Sequence, residues 1–119
     1  MDTVNKRDVL ENFETQFKKS TLPLVVLELL SEREMYPYEI SQEALRRSDG
    51  RYKAPLLYNI IKKLQEQGFV VVSRKETSVD NRTRIYYKAT KEGLAYLEKL
   101  KSIYAELSQV IQDMVYDNN

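Results

Sequence analysis

A mainly α-helical chain carrying a single β-hairpin, an α+β arrangement dominated by helix, is predicted by three features of the sequence. Helical periodicity recurs in five stretches, one interval near residues 69–90 switches to a period of two, and prolines and glycines fall at the joints between them. The order of elements describes a winged helix-turn-helix with an added N-terminal helix and a long C-terminal helix. With 119 residues, no internal repeat and no low-complexity linker, it is a single domain able to bury one modest core. Its expected parts are an N-terminal helix over 5–18, a winged helix-turn-helix core over 20–90 and a dimerisation helix over 91–116.

Each element has its own signature. Val9, Leu10, Phe13 and Phe17 recur on one face of the N-terminal helix. Ser20 and Thr21 then supply an N-cap ahead of Pro23, and LPLVVLELL reads as a separate, nearly all-apolar core helix to about Ser31. Pro37 marks the next start, where Ile40, Ala44 and Leu45 make an inward stripe that Asp49-Gly50 terminates. A further helix begins near Pro55 and stops at Gly68. Its residues Leu57, Ile60, Ile61 and Leu64 share one sector; Asn59, Lys62 and Glu66 lie opposite, flanked by Tyr58 and Lys63.

FVVVSRKE and TRIYYKAT are β-rich runs joined by TSVDNR, with Asp80-Asn81 at the tip. Alternation places Arg84, Tyr86 and Lys88 on a wet, basic face, and Ile85, Tyr87 and Ala89 on the other. Thr90 caps the last helix, roughly 39 Å long at 1.5 Å per residue. There Leu97, Leu100, Tyr104, Leu107, Ile111 and Met114 form a heptad seam, widened by Tyr96, Ile103 and Val110. So broad a stripe on so small a domain predicts a homodimer, with Phe13 and Phe17 crossing to the partner's long helix. The alternative is packing within one chain against Phe13 and Phe17.

Composition narrows the chemistry. His, Cys and Trp are all absent, which excludes a Ser-His-Asp triad, thiolate or imidazole metal sites and a disulfide framework. Paired carboxylates at motif spacing and a Gly-rich phosphate loop are missing too, so no enzyme, no cofactor and no metal is expected. Neither a membrane span nor an apolar leader is visible, and a cytoplasmic protein is the natural expectation.

The net charge of +1 hides a division. Residues 46–91 hold twelve basic and four acidic side chains, a net +8, while the other 73 residues carry seven and fourteen, a net −7. Such a block around an exposed helix face and a basic hairpin is either a solvated surface or the footprint of a polyanion site, here double-stranded DNA. In that geometry the third helix of the core enters the major groove and the wing touches phosphate or the minor groove. Tyr58, Asn59, Lys62 and Lys63 are the groove candidates, with Arg51 and Lys53 near the helix start. Tyr58 either bonds a phosphate or covers core. Arg82, Arg84 and Lys88 are the wing candidates, unless Glu76 or Asp80 pairs with them. A winged-helix module that binds an acidic protein is the competing reading.

Three segments carry a family likeness. QFKKSTLPLVVLELLSEREMYPYEI, LLYNIIKKLQEQGFV and NRTRIYYKATKEGLAYLEKL, taken in order, resemble the PadR family of bacterial transcriptional regulators, in its branch with a short C-terminal helix. The resemblance implies a winged-helix dimer on a near-palindromic operator, usually a repressor. It maps Tyr58, Lys62 and Lys63 onto the recognition helix, and Arg84, Tyr86 and Tyr87 onto the wing strand. Pro37 and Asn59 depart from the family pattern of Gly and Pro, and Asn59 adds an amide suited to bidentate contact with adenine. Some relatives sandwich flat drugs between tryptophans, which this chain lacks. Phe13, Phe17, Tyr96 and Tyr104 are either amphipathic core edges or, as the resemblance implies, the candidate lining for a planar aromatic effector.

Overall fold

The computed structural model describes residues 5–53 and 56–116. In chain order it contains α1 (Lys6–Glu32), α2 (Pro37–Arg47), α3 (Leu57–Glu66), β1 (Val70–Thr77), β2 (Thr83–Ala89) and α4 (Lys91–Val115). Helices enclose one core: Val26, Leu27, Leu29 and Leu30 of α1, Ile40 and Ala44 of α2, Leu57, Ile61 and Leu64 of α3, and Leu97 of α4. The antiparallel β1–β2 hairpin closes it through Val70 and Tyr87, and Met35 adds a one-residue third rung by exchanging two backbone hydrogen bonds with Tyr87.

The separate N-terminal helix and second helix merge into one. Asn5 is the N-cap of α1, its side chain accepting from Arg7 N–H at 2.9 Å, and the helix runs unbroken through Pro23. The hydroxyls expected to cap at Ser20 and Thr21 turn back instead, each donating to the Phe17 carbonyl at 2.9 Å. Pro23 removes one N–H from the ladder, a loss the continuous helix tolerates. Ion pairs Arg7–Glu11 and Glu14–Lys18, each i,i+4, support the first half.

Other boundaries follow the sequence closely. Pro37 opens α2, and Glu39 accepts from the Tyr36 N–H at 3.3 Å. The expected start of α3 at Pro55 lies outside the described residues. Gly68, at φ +81°, lets Phe69 N–H reach back to Leu64 O and closes α3. Thr90 caps α4 by accepting from Gly93 N–H at 3.0 Å, and its hydroxyl donates to Gly68 O at 2.7 Å. The first turn of α4 lies directly on Phe69, whose carbonyl occupies the space that a Cβ at Gly93 would need.

The radius of gyration is 17.4 Å, against about 13.5 Å for a compact chain of this length. Bare helix accounts for the excess. Leu10, Phe13 and Phe17 at one end of α1 are exposed, as are Leu107, Ile111 and Met114 at the end of α4. Leu97 and Leu100 instead join the core, so the seam divides between two environments. Phe13 and Phe17, 71% and 48% exposed, do not bury its outer half.

Candidate nucleic-acid interface

Helix α3 turns Leu57, Ile61 and Leu64 inward and leaves Tyr58, Asn59, Lys62 and Lys63 exposed. At 71% exposure Tyr58 does not cover core, which removes that alternative. Among the described residues no side chain caps the start of α3 at Leu56, which leaves its first-turn N–H groups as the positive end of the helix dipole. The four exposed residues do not share one face. Asn59 and Lys63, with Arg51, Lys53, Lys18 and Lys19, line a groove of about 990 Å³ between α3 and the middle of α1, into which Tyr96 also faces. Tyr58 and Lys62 lie outside it.

Electrostatic pairing sorts the basic block. Arg46 and Arg47 are bound to Glu43, and Arg47 also to Glu32. Arg74 is held between Glu34 and Glu76 at 2.6 Å each. These three belong to the frame. Arg51 donates to Glu14 at 2.6 Å, and with Lys18 it holds the Glu14 carboxyl below the usual carboxylate range. Arg82 meets Asp80 at 3.4 Å beside the turn, so the pairing alternative is realised there. Among the described residues, Lys53, Lys62, Lys63, Arg84 and Lys88 have no carboxylate partner within 4.0 Å.

The wing corrects one expectation. Strand alternation puts Tyr86 on the wet face with Arg84 and Lys88, yet it is buried, like Tyr87. A bulge between Val72 and Arg74 swings Arg74 across the strand, so that its guanidinium lies 3.8 Å over the Tyr86 ring. Tyr36 meets the same ring edge-on at 5.3 Å. Arg84 in turn lies 4.9 Å over Tyr36, which stacks on the exposed Tyr38 at 6.3 Å. The wing is thereby joined to the first turn of α2. Tyr38 escaped the sequence reading, although an aromatic beside the helix-opening Pro37 was its signal. Fully exposed Val79 at the wing tip was missed too, an apolar residue in an otherwise polar turn.

The four residues expected to line an effector pocket are not gathered within one chain. Tyr96 stacks on Phe69 at 4.1 Å and faces the groove beside α3, whereas Tyr104 lines a separate cavity between α1, α2 and α4. Phe13 and Phe17 border neither. Among the described residues no cluster of three or more carboxylates suited to a metal ion occurs, and no helix is long and apolar enough to cross a membrane.

An exposed third helix beside a β-hairpin wing, both carrying unpaired cations, defines a winged helix-turn-helix protein. Residues 26–99 match the profile of the transcriptional regulator PadR-like family, and the chain belongs to that family. The family consists of transcriptional regulators, not enzymes. An uncharacterised protein of Lysinibacillus sphaericus is 33% identical over 92 residues, covering 76% of this chain and 84% of its own. A PadR family transcriptional regulator from Eggerthella lenta has the same fold, with a TM-score of 0.82 over 95% of this chain and 97% of that one, at 22% identity. A transcriptional regulator from Clostridium thermocellum superposes with a TM-score of 0.73 at 25% identity, covering 84% and 98%.

Proposed function

We propose that the protein is a sequence-specific repressor that grips a near-palindromic operator as a homodimer and is released by a planar aromatic effector. The observation that carries the reading is a division of surface. Unpaired cations collect on α3 and the wing, while uncovered apolar side chains collect on the outer halves of α1 and α4. The first suits phosphate and the second a second copy of the chain.

In this reading α3 enters the major groove with Tyr58 and Lys62 foremost, and Asn59 and Lys63 along its α1 side. Lys53 and the start of α3 meet phosphate. Arg84, steadied on Tyr36, and Lys88 follow the backbone from the wing, while Val79 and Arg82 reach the minor groove. Arg51 joins them once Glu14 releases it. Phe13, Phe17, Tyr104, Leu107, Ile111 and Met114 face the partner, continuing the surface that Leu97 and Leu100 begin inside the core.

Selection from random DNA with the purified chain tests the whole reading at once. Two half-sites about one helical turn apart are expected. For a dimer engaging about 6–10 phosphates, affinity should fall about 10³–10⁵-fold between 50 and 200 mM salt. Weak binding that is uniform across sequences would replace the repressor with a module that docks an acidic protein.

A further inference from the structure

Glu34 stands in the short segment between α1 and α2, yet both its carboxylate oxygens are committed to β1. Oε2 accepts from the Ser73 hydroxyl, and Oε1 accepts from Arg74 Nε at 2.6 Å. Ser73 is the residue that the bulge leaves without a partner in β2, since Val72 pairs with Tyr87 and Arg74 with Tyr86. The neighbours of Glu34 reach the same place. Met35 exchanges backbone hydrogen bonds with Tyr87 at 3.1 and 2.9 Å, and the Tyr36 ring meets Tyr86 edge-on. Three consecutive residues therefore hold the wing at its bulge.

Beyond the bulge the contacts form a chain. Glu34 fixes the Arg74 guanidinium, which covers the Tyr86 ring; Tyr86 abuts Tyr36, and Tyr36 carries the Arg84 guanidinium. Arg74 is neutralised by Glu34 and Glu76, whereas among the described residues Arg84 has no carboxylate within 4.0 Å. The first cation sets shape and the second is free to meet a polyanion. An isolated surface ion pair would contribute little. This one bridges two neighbouring residues where the ladder is interrupted and the strand bends.

We propose that Glu34 is a positioning residue for DNA binding, which grips Ser73 and Arg74 at the bulge and so sets the wing at the angle that brings Arg84 and Lys88 to phosphate. The proposal rests on the DNA-binding reading for its consequence, but not for the clamp. Plain electrostatics assigns Glu34 the opposite effect. Hydrogen bonds from Ser73 and Arg74 hold its carboxyl below the usual range, and the Lys88 charge adds a weaker pull. A carboxylate that merely sat near Lys88 would repel phosphate, and its removal would tighten binding. The sign of the effect separates the two roles.

Affinity of the full chain for a duplex recovered by random selection, measured across a salt series, reads that sign. Glu34→Ala should bind about fivefold or more weakly, and its salt slope should fall by about 1–2 as Arg84 and Lys88 lose their phosphates. Ser73→Ala changes no charge and should move both quantities the same way by less; it replaces Glu34→Ala should that variant fail to fold. Hydrogen exchange without DNA reads the clamp alone. The amides of Lys75 and Ile85, paired just past the bulge, should exchange about tenfold faster in Glu34→Ala, with Ile61 and Leu64 of α3 unchanged. Binding as tight as that of the native chain or tighter, or unaltered exchange at Lys75 and Ile85, would overturn the proposal. A native chain that bound no duplex would lose the DNA reading, and faster exchange in Glu34→Ala would then still support the clamp.

Discussion

From Leu97 to Met114, α4 carries one uninterrupted apolar seam, yet its two halves meet different surroundings. Leu97 is 2% exposed and packs against the core of the winged helix; Leu107 and Ile111, on the same stripe, are 56% and 54% exposed. Helix α1 repeats the contrast in reverse order, with Val26, Leu27, Leu29 and Leu30 buried and Leu10, Phe13 and Phe17 bare. Periodicity records which face of a helix is apolar. What covers that face depends on how far the core extends, and a 27-residue helix, about 40 Å long, outruns a core this small.

The inner half offers the largest expected effects. Leu97→Ala should cost about 2–5 kcal/mol, since it opens a void among core side chains. Gly93→Ala should cost about 1–3 kcal/mol by forcing the first turn of α4 away from the Phe69 carbonyl. Denaturant titration at a fixed protein concentration measures both. Leu107→Ala, in the same seam, should change the stability of the isolated chain by less than about 0.5 kcal/mol. A loss at Leu107 as large as that at Leu97, measured under conditions where the protein is monomeric, would erase the distinction between the halves.

The partner proposed for the outer half is tested next. Ile111→Asp places a charge on a surface read as dimer contact, and sedimentation should report monomers whose helical circular dichroism is little changed. Operator affinity should be lost along with the dimer, because in the proposed arrangement each copy contacts only a half-site. Leu100 is the wrong position for this experiment despite belonging to the heptad set, since it packs against the core and an Asp there would act on folding. A dimeric Ile111→Asp would remove the seam from the interface.

The same limit explains which features the sequence revealed. Local chemistry was legible: Pro37 opening α2, Gly68 closing α3, Thr90 capping α4 and the change to period two over the hairpin each depend on a few adjacent residues. The continuity of α1 was not, because Ser20 and Thr21 have two local options, capping or bonding back to Phe17, and propensity does not choose between them. Burial of Tyr86 depends on a bulge and on Arg74 crossing the strand. Arg51 pairs with a carboxylate 37 positions away, a contact no local pattern encodes. Net charge along the chain therefore located the basic region, but it did not separate the cations that hold the frame from those left free.

That separation predicts unequal responses on the DNA side. Lys62→Ala should weaken binding to every sequence and lower the salt slope by about 1, as expected for one lost phosphate contact. Asn59→Ala should instead relax discrimination at one base pair by about 1–3 kcal/mol. Glu14→Gln frees Arg51 and should tighten binding modestly, with the gain shrinking as salt rises. Competition binding on matched and mismatched operators reads all three. If Glu14→Gln weakened binding, the carboxylate would be positioning Arg51 and not withholding it.

The smallest effect belongs to the frame itself. Arg46 and Arg47 hydrogen-bond Glu43 and depress its carboxyl to about 2. A carboxyl whose value is lower in the folded chain contributes stability that is complete above the ordinary range, near 4.5, and is lost as pH falls through that range toward 2. Melting temperature should therefore drop across this window, and Glu43→Gln, which has no proton to take up, should drop less. The difference between the two profiles should narrow in high salt, because the three side chains lie at the surface where their attraction is screened. Parallel acid profiles for the two proteins would place the acid sensitivity elsewhere, at Glu14, Glu32 or Glu34, whose carboxyls are also held low by guanidinium or hydroxyl partners.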